Sequence, residues 1–333
     1  MSRAARFTLG SVASPTTQGG FEEELEQTAL VSADEDVAPV ATDEPGRRLG
    51  RYVLISELGR GGMGVVFAAY DPQLDRRVAV KLIHASSQAG EARLRREAKA
   101  LAQLTHPNVV TIYEVGDHEG RVFIAMEYVQ GQTLKRWLAE EERSQRDKMA
   151  VLLAAAEGLQ AAHEMGLVHR DFKPDNVMVG DDGRVRVMDF GLVVMSGTPS
   201  EDAVGMSTDG NLVEEAELTA TGSVMGTPRY MAPEQFMSKP TTPATDQFSF
   251  CLCALEALAG VHPIGGTSYA EIFRRVTTGH RHPDVSKNVP KWIRDVLLRG
   301  LTVDPEERWP SMAELQAELR KDPRRKRLAI LAV

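Results

Sequence analysis

The stretch Gly166–Val179, GLVHRDFKPDNVMV, sets His169, Arg170, Asp171, Lys173, Asp175 and Asn176 between apolar runs. Charges placed between apolar segments are costly to desolvate unless each finds a partner. They are useful where a loop must hold groups ready for chemistry. A solvated turn and a prepared polar loop both fit these fourteen residues, and the rest of the chain decides between them.

At 333 residues the chain is long enough for two lobes with separate cores. Hydrophobic residues at 42% and charged residues at 26% are ordinary for a globular protein. The formal net charge of −8 is unevenly spread: residues 1–46 hold nine acids and two bases, and Ser196–Leu218 holds six acids and no base. Arg320–Arg327 holds six bases and one acid, so the middle of the chain is close to neutral. Nothing there suggests the clustered basic face that nucleic-acid binding requires. Cys251 and Cys253 lie two apart in the apolar run FSFCLCALEAL. On a helix they point to different sides, which suits buried thiols better than a metal pair. Two cysteines imply no disulfide framework and fit a reducing cytoplasm.

The first twenty residues lack the continuous apolar core of a signal peptide. At the other end, KDPRRKRLAILAV places a basic cluster before six apolar residues, Leu328–Val333. As a helix these reach about 9 Å, against a hydrocarbon core of about 30 Å. The expectation is a longer protein that continues into a membrane anchor, with the basic cluster on its cytoplasmic side. The alternative is a frayed basic end of the last helix.

Residues 1–46 are rich in Ser, Thr, Gly, Pro, Ala and acids without apolar periodicity, the pattern of a disordered tail. From Arg51 onward RYVLISEL, GVVFAAY, RRVAVKLI, VVTIYEV and RVFIAMEYV read as five strands, with DPQLD and GDHEG as turns. Between the third and fourth, AGEARLRREAKALAQLTHPN reads as a helix with Leu94, Ala98 and Leu101 on one face and Glu97 at its edge. Its end is set by HPN, because a residue before proline is pushed out of the helical region. Beyond GQTL the chain turns mainly helical, through DKMAVLLAAAEGLQAAHEMG, TDQFSFCLCALEALAG, TSYAEIFRRVTTG, PKWIRDVLLRGL and PSMAELQAELRK. The layout is a small, mostly β lobe followed by a larger, mostly α lobe.

Between the first two strands lies Gly59-Arg-Gly61-Gly-Met-Gly64-Val-Val66. A dinucleotide fold would place a helix after such glycines. Here a strand follows, which leaves a phosphate-covering flap and a plain hairpin open. Lys81 closes the apolar run VAVK, either snorkelling at a sheet rim or held by Glu97 to face an anion. In the quoted loop, Asp171 can accept or orient a hydroxyl proton. Lys173 can neutralise charge on a transferring phosphoryl group, and the Asn176 amide oxygen can ligate a hard cation. Asp189-Phe190-Gly191 follows the apolar run VRVM, a carboxylate at a strand end suited to metal binding.

Glycine flap, VAVK, helix glutamate, HRD with Lys and Asn, DFG, then Ala232-Pro233-Glu234 occur in an order that chance does not give. From about Arg51 to Arg320 the chain resembles the bacterial eukaryotic-like (Hanks-type) serine/threonine protein kinases. That resemblance implies an α+β, two-lobed kinase fold, using ATP and Mg²⁺ to phosphorylate Ser/Thr hydroxyls of protein substrates. It divides the chain into a tail (1–49), an N-lobe (50–130), a C-lobe (131–320) and a basic end (321–333). The activation segment becomes 189–234, with 196–218 as an acidic insert.

By the same resemblance, Leu58, Gly59, Gly61, Gly64, Val66, Ala79, Lys81, Met126, Glu127, Val129 and Met178 would surround ATP. Glu127 and Val129 would bond the adenine through their backbones. Lys81 would pair with Glu97, Asp171 would be the catalytic aspartate beside Lys173, and Asn176 and Asp189 would bind Mg²⁺. Glu234 would pair with Arg308, and Asp246 would anchor the catalytic loop. Thr227 and Lys173 point to Ser/Thr rather than Tyr as acceptor. Phosphate on Thr219 or Thr221 would be paired by Arg170. An N-lobe homodimer is implied by the family alone, with no local signal. Phe172 stands where an aliphatic residue is usual, and the Lys81–Glu97 spacing is slightly short. The alternative is a nucleotide-binding pseudokinase scaffold. Its hallmark, loss of Lys81, Asp171, Asn176 or Asp189, is absent from the sequence.

Overall fold

The computed structural model of the chain describes residues 46–61, 64–83, 88–190, 228–286 and 288–321. Residues 1–45 of the expected tail, the acidic insert, Gly191, Thr219, Thr221, Thr227 and the basic end beyond Lys321 lie outside these residues. The last residues of that tail, expected to span 1–49, instead form a strand at Arg48–Leu49. The first lobe is built on one antiparallel sheet in the order β1-β2-β3-β4-β6-β5. Its strands are β1 (Arg48–Leu49), β2 (Tyr52–Gly61), β3 (Gly64–Asp71), β4 (Arg76–Ile83), β5 (Ile112–His118) and β6 (Arg121–Glu127). All five expected strands form. The two-residue β1 was not foreseen, since so short a strand leaves no periodicity to read.

Side-chain alternation divides this sheet into two faces. On β4, Val78, Val80 and Leu82 join Tyr52, Phe67, Phe123 and Ala125 in a core of their own. The alternate residues Ala79, Lys81 and Ile83 therefore point the other way. Ala79 and Ile83 belong to the second core, with Ile124 and Met126 of β6 and Leu94, Ala98 and Leu101 of α1 (Gln88–Leu101). Across β4 and β6, Ala79 pairs with Met126 and Lys81 with Ile124. Lys81, Ala79 and Met126 thus share one face because the strand period is two.

The second lobe begins with a small sheet, β7 (Gly131–Thr133), β8 (Val177–Gly180) and β9 (Val185–Val187). Its helices are α2 (Leu134–Glu140), α3 (Gln145–Glu164), α4 (Pro233–Phe236), α5 (Pro243–Ala259), α6 (Tyr269–Thr277), α7 (Lys291–Gly300) and α8 (Met312–Arg320). Helix α5 is buried nearly all round and runs through the core, and Cys251 and Cys253 are buried on it as free thiols. Burial pushes both thiols up. Among the described residues, no helix is long and apolar enough to cross a membrane. The segment between α1 and β5 ties the lobes together: Val110 N–H donates to Val187 C=O, and Val187 N–H to Asn108 C=O.

Candidate active site

The quoted loop enters the site under tight backbone control. Asp246 on α5 accepts the His169 N–H at 2.7 Å and the Arg170 N–H at 2.8 Å, and contacts His163 Nε2 at 2.7 Å. The Gln235 amide donates to the Arg170 carbonyl at 2.7 Å. Arg170 takes φ +65°, a left-handed conformation that costs a non-glycine residue about 1–3 kcal/mol. Bonds to both its N–H and its C=O hold it there. The next residues then point into a shared cluster. Lys173 Nζ donates to Asp171 Oδ2 at 2.7 Å, and Asn176 Nδ2 donates to the same oxygen at 3.1 Å and to the Asp171 carbonyl at 2.8 Å. Those bonds commit the Asn176 nitrogen and leave its oxygen as the atom suited to a hard cation.

Phe172 is fully buried, 5.7 Å from His169 and 6.0 Å from Phe250, ring to ring. The departure from an aliphatic residue is accommodated as an aromatic stack that extends to Phe190, 4.7 Å from His169. Strands β8 and β9 bring the second carboxylate alongside. Met188 N–H donates to Asn176 C=O at 3.0 Å, so Asp189, next along the chain, emerges beside Asn176. Asp189 is also left-handed, at φ +60°.

One expected pair is replaced by two others. Lys81, 4% exposed, places Nζ 2.8 Å from Asp189 Oδ1 and not on Glu97. Glu97 Oε1 instead lies 2.9 Å from Arg170 Nη1. The left-handed turn at Arg170 carries its guanidinium to α1, so Glu97 is neutralised from the second lobe, and the buried lysine takes the other carboxylate within reach. Burial pushes the Asp189 carboxyl up, but Lys81, helped by His169 and Lys173, outweighs this, and the net shift is downward.

Glu234 and Arg308 form a two-pronged pair, both contacts at 2.9 Å, with Arg308 1% and Glu234 3% exposed. Around the expected base site, Ala79 and Met126 are buried, Val66, Val129 and Met178 are half-buried, and Leu58 is half exposed on β2. Glu127 N–H is donated to Thr111 C=O, so any contact of Glu127 with a base runs through its carbonyl. Gly59 and Gly61 lie in the exposed half of β2, and Gly64 starts β3. Asp175 lies 3.1 Å from Lys135 of α2. That pair, the loop contacts of His163 and Gln235, and a buried Arg186 were not singled out from the sequence. Only Arg186 left a trace there, as a charge inside the strand pattern VRV.

A small twisted sheet over a helical lobe, with lysine, two aspartates and an asparagine meeting between them, defines the phosphotransferase class to which protein kinases belong. The protein kinase domain model matches residues 52–319, and the chain belongs to that family. It is 37% identical over 289 residues to the serine/threonine-protein kinase PksC of Streptomyces coelicolor, covering 82% of this chain and 49% of that protein. It is 30% identical over 283 residues to the serine/threonine-protein kinase PrkC of Bacillus subtilis, covering 83% of this chain and 41% of that protein. The chain thus spans less than half the length of either relative. The crystal structure of the Mycobacterium tuberculosis PknI kinase domain superposes with a TM-score of 0.63 at 24% identity, covering 84% of this chain and 98% of that one, a likeness of fold.

Proposed function

We propose that this chain transfers the γ-phosphoryl group of ATP to serine and threonine hydroxyls of proteins. The observation that supports it most is the convergence of Lys81, Asp171, Lys173, Asn176 and Asp189 from strands and loops more than a hundred residues apart. The donor chemistry fits Mg²⁺, because the Asp189 carboxylate and the Asn176 amide oxygen are hard oxygen ligands. When bound, the metal would offset negative charge on the phosphates. Among the described residues, a Cβ at Gly59 or Gly61 would meet nothing. Packing among these residues does not call for glycine there, whereas close approach to a phosphate does.

Asp171 then orients the acceptor hydroxyl and takes its proton as the oxygen–phosphorus bond forms and the bond from the γ-phosphorus to its bridging oxygen breaks. Lys173, 2.7 Å from that carboxylate, offsets charge on the transferred group. Lys81 holds the remaining phosphates. In this reading the pairs Lys81–Asp189 and Glu97–Arg170 are a resting arrangement. Phosphate on Thr219 or Thr221 would compete with Glu97 for Arg170, freeing Glu97 for Lys81 and Asp189 for metal.

The test is transfer from γ-labelled ATP followed by phosphoamino acid separation. Label on serine or threonine is expected, and label confined to tyrosine, or none, overturns the reading. The basic end Arg320–Arg327 is proposed as the approach to a membrane anchor in a longer protein. A complete gene that stops after Val333 removes that part alone.

A further inference from the structure

Strand β9 carries, three residues before Asp189, a cation that no motif accounts for. Arg186 is 3% exposed, and an arginine so buried needs charged partners to be tolerated. It has two. Its Nη2 lies 2.8 Å from Glu127 Oε1 and donates to Asp182 Oδ2 at 2.8 Å, while Nη1 donates to Asp182 Oδ1 at 3.1 Å. Each partner belongs to a different piece of chain. Glu127 is the last residue of β6, where the chain leaves the first lobe, and Asp182 lies in the turn between β8 and β9.

The register adds the third piece. In the β8–β9 pair, Arg186 stands directly opposite Met178, and opposed residues of an antiparallel pair share a face. One guanidinium therefore ties the connection between the lobes to the small sheet, beside the residue expected to lie under the base. Hydrogen bonds from Arg186 hold the Asp182 carboxyl well below its usual range, so that anchor stays charged. Arg184 reaches Glu127 at only 3.8 Å and is 55% exposed, so it adds little to the hold. The buried Arg186 is the cation that fixes the Glu127 side chain.

We infer that Arg186 is a positioning residue for the purine subsite, fixing the Glu127–Val129 backbone against Met178 and so setting affinity for the base rather than the rate of transfer. This rests on the ATP reading above. Among the described residues, no hydrogen bond or ion pair joins Arg186, Glu127 or Asp182 to Asp171 or Lys173, so removing the clamp loosens recognition while the reacting groups keep their contacts. Pre-organisation of a subsite is felt as affinity.

The experiment is calorimetric titration of the kinase domain with adenosine and, separately, with ATP and Mg²⁺, alongside autophosphorylation rates across ATP concentrations. Adenosine carries the base without phosphates and so reads this subsite directly. Arg186→Met is expected to weaken both ligands by the same factor, roughly tenfold, to raise KM for ATP by as much, and to leave kcat within about twofold. Arg186→Lys recovers part of the loss, and Arg184→Ala stays within about twofold of wild type. If Arg186→Met does not fold, Glu127→Gln is expected to weaken adenosine and ATP alike, since it removes the clamped charge without deleting the backbone groups that meet the base. Unchanged adenosine affinity in the folded variants, or a fall in kcat with affinities intact, overturns the inference. A wild-type protein that binds neither adenosine nor ATP instead removes the ATP reading on which the inference stands.

Discussion

At Arg308 all five guanidinium N–H groups have acceptors within the protein. Nε donates to the Thr302 carbonyl at 3.0 Å, Nη1 to Glu234 and the Ala244 carbonyl, and Nη2 to Glu234 and the Val303 carbonyl. Glu234 accepts a further bond from Thr245 at 2.8 Å. So complete a network turns a buried charge pair, costly in itself, into one that is costly to break. Glu234→Ala leaves the arginine buried without its counter-charge and is expected to lower stability by about 3–5 kcal/mol, read by urea unfolding. The pair also sets a pH dependence. Burial raises the Glu234 carboxyl, but its bonds to Arg308 and Thr245 outweigh this and hold it below its ordinary 4.5. A carboxyl depressed on folding contributes stability that is present above 4.5 and lost as pH falls through the folded value. Wild-type stability should therefore decline as pH drops below about 4.5, more steeply than that of Glu234→Gln. Equal slopes would contradict the assignment. At this scale the Glu234–Arg308 partners were legible in the sequence, because each sits in a recognisable motif. The partners of Lys81 and Glu97 were not. Which carboxylate a cation reaches depends on where Arg170 carries its guanidinium, and a string of letters does not hold that.

Helix α3 shows how an element is placed by what it lacks. A Cβ built on Gly158 would lie 2.3 Å from the Asn108 carbonyl oxygen. The missing side chain lets the helix pack against the segment that joins the lobes. Ala is preferred to Gly inside helices by about 1 kcal/mol, yet Gly158→Ala is expected to lower the melting temperature, because the atom it meets is backbone and cannot swing away. A stabilised variant would mean that α3 and the Asn108 segment shift apart freely. Strands and helices were mostly readable. Period-two alternation and apolar runs marked β2 to β6, but that Ala79, Lys81 and Met126 share a face followed only from the strand register. The three-residue strand β7 was not readable, since alternation needs more length than that. Strand β9 was legible as the run VRVM before Asp189, but its Arg186 passed as part of an apolar run and was not singled out.

Across the whole molecule, the proposed activation would have the two lobes exchange ion pairs without changing the charge count. Lys81–Asp189 and Glu97–Arg170 each join groups from different lobes. Moving from these pairs to Lys81–Glu97 leaves Asp189 for metal and Arg170 for a phosphate, so no buried charge is stranded. Mass mapping of the autophosphorylated protein is expected to find phosphate on Thr219 or Thr221. Phosphate on neither would sever regulation from the exchange while leaving the chemistry in place. The order of motifs made the two-lobed fold and the residue set legible, whereas the resting arrangement of that set came only from coordinates. The most direct test of the central claim is single-turnover transfer from γ-labelled ATP by wild type and by Asp171→Asn, with ATP affinity measured on both. The account predicts similar affinity and a rate about 10²–10⁴-fold lower in the variant. Equal rates would contradict it.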